Sequence, residues 1–159
     1  MTGIRAVAIA NSYNFRRASD LVTTSGVVGA NRLKGLAPEG YEMVINLLPD
    51  ESEYAVENEA EIVEGQGVEY VYIPVDFKSP TLDDYDRFAA ALDQAKGRKV
   101  HIHCAANYRV SAFYALYAES TGLWSSAKAR EFIHGLWLPQ EQEGWPEFIA
   151  EVREQQIGA

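Results

Sequence analysis

Val100-His101-Ile102-His103-Cys104-Ala105-Ala106-Asn107-Tyr108-Arg109-Val110-Ser111-Ala112-Phe113-Tyr114-Ala115-Leu116-Tyr117 changes its periodicity within one short stretch. Its first four residues are β-branched or alternating, which predicts a strand ending at His103. From about residue 109 to 121 the apolar side chains Ala112, Phe113, Tyr114, Ala115, Leu116 and Tyr117 go all the way round a helix. Such a helix is expected to be central and buried. Between strand and helix lies a short loop that opens with Cys104. Ligands of open α/β sheets bind outside the carboxyl ends of the strands, so this loop is the first place to look for chemistry.

Outward from this stretch, strand-like and helix-like segments alternate, as in a βαβ sheet covered by helices. Residues 21–25 read as a short strand closed by Gly26, and 30–36 as a short helix ending before Pro38. Residues 43–48 are nearly continuous apolar, the mark of a buried parallel strand. Residues 52–66 are expected to be a helix, with Val56, Ala60 and Val63 inward and Glu57, Glu61 and Glu64 toward water. Residues 69–75 form another expected strand. Thr81 is a good N-cap with Asp84 three residues on, a variant capping box; Leu82, Tyr85, Phe88, Ala89 and Leu92 then supply one apolar face. Ser125 or Ser126 caps a further helix. The last helix has Pro146 in its first turn and a stripe of Trp145, Phe148, Ile149 and Val152. The fold class is therefore α/β, a central mostly parallel sheet of four to five strands flanked by helices, in one domain spanning residues 1–159.

Composition narrows the function. Apolar residues make up 47% of the chain, enough for a sizeable core. A net charge of −9 speaks against nucleic-acid or anionic-membrane partners, which need basic surface. Between Lys34 and Lys78 there are eleven acids and no base, which reads as a solvated acidic face. An anionic substrate must then be captured by a local positive site. No apolar run approaches the ~20 residues of a membrane span. The run at residues 4–10 is too short for a secretory core. With a single cysteine, these features point to a cytoplasmic setting, compatible also with a leader already removed.

By count alone, a lone cysteine is a buried structural thiol. The neighbours of Cys104 argue for more. Backbone N–H groups of Ala105, Ala106, Asn107 and Tyr108 can converge as a nest, and the helix start adds its positive dipole end. Both favour the thiolate, the nucleophilic form. Arg109 brings a fork of donors that matches two oxygens of a tetrahedral anion. Ser111 offers a hydroxyl, and Asn107 tolerates the left-handed backbone of a tight loop. His103 either fixes the cysteine backbone or is a satisfied core residue. His101 and His103 share a strand face, but no third ligand lies at short spacing, so no metal and no other cofactor is expected.

The loop resembles the His-Cys-x5-Arg loop of cysteine-dependent tyrosine and dual-specificity phosphatases. More closely, residues 11–120 are similar to a bacterial phosphatase-like domain family that is also found fused to β-lactamase-fold hydrolases. The likeness runs through Thr24-Ser25-Gly26, Gly40-Tyr41-Glu42-Met43-Val44-Ile45-Asn46-Leu47, Pro49-Asp50-Glu51, Val68-Glu69-Tyr70-Val71-Tyr72-Ile73-Pro74-Val75 and Phe88-Ala89-Ala90-Ala91-Leu92. It implies a phosphorylated protein, small phosphate ester or other oxyanion as partner. Cys104 would attack phosphorus and form a thiophosphate. Arg109 and the amides of residues 105–108 would bind the phosphate. Asp76, in Pro74-Val75-Asp76-Phe77-Lys78, would protonate the leaving oxygen, with Lys78 adding attraction for the anion.

Three departures stand out. Four residues, not five, separate Cys104 from Arg109; Val110 displaces the serine usual after the arginine; and Gly26-Val27-Val28 stands where the close family has Gly-Gln-Pro. The four-residue spacing also occurs in rhodanese-type sulfurtransferases, whose loop cradles a persulfide. Phosphatase, sulfurtransferase and non-catalytic oxyanion- or phosphopeptide-binding module are the three functions compatible with the residues.

Overall fold

In the computed structural model, residues 8–158 are described. Five strands are β1 (Arg16–Arg17), β2 (Val22–Ser25), β3 (Met43–Asn46), β4 (Glu69–Tyr72) and β5 (Val100–His103). They form one sheet in the order β1-β2-β5-β3-β4, with only β1 antiparallel. Among the described residues, six α-helices connect and follow them: α1 (Ala30–Leu33), α2 (Glu59–Glu64), α3 (Leu82–Gln94), α4 (Tyr108–Ser120), α5 (Ser126–His134) and α6 (Trp145–Gly158). The expected mostly parallel α/β sheet is the one observed, and β5 is its central strand.

Strand alternation divides the core in two. Val100, Ile102 and the adjoining Cys104 join a core with Met43, Ile45, Phe88, Phe113 and Trp145. The opposite face is covered by Ile9, Leu33, Leu36, Tyr41, Val44, Val63 and Val68. As expected, α4 is buried on nearly every side, with residues 110–118 all buried. Thr81 caps α3 with a complete capping box: its Oγ1 accepts from Asp84 N at 3.1 Å, and Asp84 Oδ2 accepts from Thr81 N at 3.2 Å. Ser125 is the cap of α5, accepting from Lys128 N at 3.1 Å.

The expected helix over residues 52–66 shrinks to α2, Glu59–Glu64. Ser52 Oγ accepts from Tyr54 N at 3.1 Å, a local bond that competes with helix, and Asn58 sits at φ 60° immediately before α2. Glu59, the first residue of α2, is buried at 5% exposure. The strand expected over 43–48 ends at Asn46, whose Oδ1 accepts from Leu48 N at 2.9 Å and turns the chain. The apolar run at residues 4–10 lies largely outside the described residues. No helix among those described is long and apolar enough to cross a membrane.

Candidate active site

Cys104 follows the central strand directly and is fully buried, its N–H reaching Ser25 O at 3.3 Å. The loop then crosses the end of β2. Val27 N donates to Ala105 O at 3.0 Å, and Gly26 bridges Ala106. A Cβ on Gly26 would lie 2.4 Å from Ala105 O, so only glycine lets the two backbones approach this closely. Asn107 caps α4 at φ 68°, as its tolerance of the left-handed region allows. Its Nδ2 donates to Asn14 O and to Thr24 Oγ1, both at 2.9 Å. Asn14, itself at φ 52°, returns a bond from Nδ2 to Ala106 O at 3.0 Å. Two asparagines thus clamp the loop to the segment before β1.

Arg109 lies in the first turn of α4 and its guanidinium packs 5.3 Å over the ring of Phe77. Its Nε is buried without a partner, and no salt bridge among the described residues neutralises it. Ser111 is buried, and its hydroxyl is engaged: it donates to Tyr108 O at 2.9 Å and accepts from Trp137 Nε1 at 3.0 Å. Trp137 also stacks on Tyr108 at 5.0 Å between centroids. The C-terminal aromatics therefore support the start of α4.

Asp76 is exposed, in the loop after β4; its Oδ1 accepts from Lys78 N at 3.0 Å, and Lys78 is exposed too. The intervening Phe77 docks this loop, with its ring 6.4 Å from Tyr108, 5.7 Å from Trp137 and 5.5 Å from Trp145. Trp145 Nε1 holds the carbonyl of Phe77 at 2.8 Å. The fold thus brings the loop bearing Asp76 against the turn bearing Arg109.

The two histidines of β5 face away from Cys104's core, stacked at 6.3 Å. His101 is enclosed: Thr23 Oγ1 lies 2.8 Å from Nδ1 and Ser25 Oγ 2.8 Å from Nε2. The order of protons follows by elimination. Ser25 gives its hydroxyl proton to Gly26 O at 2.8 Å, so it accepts from His101 Nε2–H. Burial, and secondarily the neighbouring His103, hold His101 well below the ordinary histidine range and hence neutral. Its Nδ1 is then an acceptor for Thr23, which in turn accepts from Tyr41 Oη at 2.8 Å. Burial also raises the Tyr41 phenol, keeping it a donor. His103 differs. Its Nε2 meets Glu59 Oε2 at 2.5 Å, and its Nδ1 is buried without a partner. No group of three His, Cys, Asp or Glu able to hold a metal occurs among the described residues.

Sequence reasoning missed Glu59, Asn14 and the docking role of Phe77. For Glu59 the signal existed: Val56, Glu59, Ala60 and Val63 are spaced i, i+3, i+4, i+7, so the glutamate falls on the inward stripe. Asn14 meets the loop 92 residues away in sequence, and nothing local announces the contact.

This architecture, a mostly parallel sheet whose central strand delivers a cysteine loop to a buried helix, is that of the tyrosine-phosphatase-like proteins. Residues 14–121 match the model of the phosphatase-like domain of β-lactamase hydrolase-like proteins, and the chain belongs to that family. It is similar to a putative phosphatase (DUF442) from Shewanella putrefaciens, with 33% identity over 93% of this chain and 96% of that one and a TM-score of 0.81. Two more distant structures share the fold. Tk-PTP, in a glycine-to-alanine mutant form, gives 20% identity, a TM-score of 0.75 and coverage of 92% of this chain and 98% of that one. TpbA from P. aeruginosa gives 17% identity, a TM-score of 0.72 and coverage of 95% and 93%. A search among curated proteins gave no match.

Proposed function

We propose that this chain is a cysteine-dependent phosphatase that hydrolyses phosphate monoesters at Cys104. One observation carries the reading: Cys104 directly follows the central strand, and the helix after it presents Arg109 in its first turn, in no salt bridge with a carboxylate among the described residues. An uncommitted guanidinium beside a helix N-terminus is a site for a tetrahedral anion. The overall charge of −9 makes such a local site necessary. The structure of TpbA in complex with phosphotyrosine supports a phosphorylated substrate.

In this mechanism the Cys104 thiolate attacks phosphorus, forming a P–S bond as the P–O bond to the leaving group breaks. Asp76 gives its proton to the departing oxygen. Water then attacks phosphorus, Asp76 takes a proton from it, the P–S bond breaks, and thiolate and inorganic phosphate are regenerated. Arg109 and the loop amides hold the non-bridging oxygens throughout and gain most as charge develops on them.

The four-residue spacing between Cys104 and Arg109 favours a second reading, sulfur transfer through a Cys104 persulfide. Kinetics separate the two. Wild type, Cys104→Ser and Asp76→Asn are compared on phosphate esters of graded leaving-group basicity and on thiosulfate with cyanide. A phosphatase releases phosphate only when Cys104 is present. Asp76→Asn then loses about 10²–10⁴-fold on alkyl esters and less on activated aryl esters, whose leaving group departs without a proton. Equal losses across the series remove Asp76 from the mechanism. Cys104-dependent thiocyanate formation without phosphate release would establish sulfur transfer instead.

A further inference from the structure

The couple formed by Glu59 and His103 has no part in the steps above. Glu59 is 5% and His103 2% exposed, and their side chains are in direct hydrogen-bond contact. Burying a carboxylate and an imidazole is costly even when they pair, and an apolar residue would suit this place on the inward stripe of α2 better. Asn58 takes the left-handed conformation at φ 60° just before Glu59. A costly pair beside the candidate nucleophile calls for a role.

We infer that Glu59 is a positioning residue for the Cys104 site: its carboxylate accepts from Nε2–H of His103 and fixes that ring at the strand end that presents the cysteine. The inference rests on Cys104 being the working thiol. A carboxylate can only accept, so the proton of the contact belongs to Nε2. Nδ1, buried and unpartnered, is then the nitrogen without the proton. The carbonyl of His103 accepts from Leu47 N at 2.9 Å and Cys104 N reaches Ser25 O, so backbone and ring together hold the point where the loop leaves the sheet. Without Glu59 neither nitrogen has a protein partner, the proton can sit on either, and the ring is free to turn.

The groups that face the couple are few. His101 stacks on His103 from within β5, and Tyr70 of β4 lies beside Glu59, its phenol raised chiefly by burial and further by that carboxylate. Asp50 and Glu57 share with Glu59 the lining of a cavity of about 530 Å³.

The test uses Glu59→Ala and Glu59→Gln. Imidazole nitrogen NMR reports the tautomer of His103, alkylation by iodoacetamide reports Cys104, and kcat/KM on an aryl phosphate reports turnover. Carboxylate partners of metal-bound histidines are worth roughly 10–100-fold, and a loss of at least about 10-fold is expected here for Glu59→Ala in alkylation rate and in kcat/KM. Its tautomers are expected to be mixed. Gln still accepts from Nε2–H, so it should keep the tautomer and restore most of both rates. An alanine variant with the wild-type tautomer and rates, or a glutamine variant as slow as alanine, would overturn the inference. If alanine does not fold, Glu59→Met, which fills the volume without an acceptor, replaces it. Alkylation and the nitrogen spectrum need no phosphate ester. Loss of both in a protein that hydrolyses no ester would refute the phosphatase and keep the positioning role; an ester hydrolase indifferent to Glu59 would do the reverse.

Discussion

Two neighbourhoods on one face of β5 hold the same residue type in different ways. Around His101, every polar atom of the ring is used. A run of hydrogen bonds passes from Tyr41 through Thr23 and the imidazole to Ser25 and the carbonyl of Gly26. Around His103, one nitrogen meets the buried carboxylate of Glu59 and the other meets nothing. Satisfied polar networks make rigid, uniquely packed interiors, whereas a buried polar atom without a partner is an exception that demands a reason. The first neighbourhood anchors the edge of β2 on which the loop rests; the second adjoins the cysteine itself. Partners brought from distant segments, rather than the histidines' own local sequence, make the two positions different.

The largest expected contrast comes from the loop side. Arg109→Lys keeps the charge but replaces a planar fork with a point charge. Removing one donor to a developing oxyanion typically costs about 10²–10³-fold in kcat, and a loss near the lower end is expected here, with weaker vanadate inhibition. His101→Gln, on the structural side, is expected to lower stability while leaving kcat/KM of the folded fraction nearly unchanged. Equal kinetic losses in the two variants would erase the distinction between the neighbourhoods.

Gly26→Ala joins the two regions, because Gly26 accepts from Ser25 in the first and abuts Ala105 in the second. A methyl group 2.4 Å from the Ala105 carbonyl must push the loop away. Overpacking of this kind costs about 1–3 kcal/mol. Loss of catalysis should exceed what the urea midpoint accounts for, since under the proposed function the displaced segment would hold the anion. A variant that is less stable but fully active once folded would show that the close approach serves the fold alone.

How much of this was legible in the sequence follows from where each signal lives. Strand β5 and the all-round apolar helix α4 are local patterns, and both were read within a residue of their bounds. So was the capping box at Thr81 and Asp84, which depends on residues three apart. The helix expected over 52–66 is shorter in the structure because pattern sets which face is inward but not where a helix starts; the left-handed Asn58 decides that. Glu59 was on the inward stripe, yet a carboxylate there is readable only once His103 is seen opposite it. The asparagine clamp was half legible. Asn107 was singled out for its left-handed tolerance, while its partner Asn14 meets it across 93 residues of chain.

That clamp gives a smaller effect. Asn107→Ala forces an L side chain other than asparagine into φ 68° and removes two hydrogen bonds. The backbone part is worth about 1–2 kcal/mol. Asn107→Gly removes the same bonds without that strain, so its unfolding free energy from urea titration should exceed that of the alanine variant by this amount. Identical free energies would mean that the loop relaxes out of the left-handed conformation when the asparagine is lost, and that the clamp rather than the backbone holds it.

The smallest expected effect tests the neutrality of His101, on which the contrast with His103 depends. Burial keeps the folded imidazole well below the ordinary histidine range, while in the unfolded chain a histidine takes up its proton near about pH 6.5. Between those two values the unfolded state binds the extra proton, so stability rises with pH there. The contribution is fully present above about pH 6.5 and is lost as pH falls toward the folded value. It can amount to at most about 1.4 kcal/mol for each pH unit of that window, one proton's worth. Urea midpoints of wild type and His101→Gln, taken at intervals from neutral down into the acid range, isolate it, because the carboxylates titrate in both proteins and cancel in the difference. Glutamine cannot reach both Thr23 and Ser25 and is expected to be less stable at neutral pH. Its deficit should shrink as the pH falls below about 6.5, since it has no proton to bind on unfolding. A deficit that stays constant would mean that His101 binds its proton equally in both states. The hydrogen-bond order from Tyr41 to Gly26 would then have to be reversed around a charged ring, and the two histidines would no longer be held in different ways.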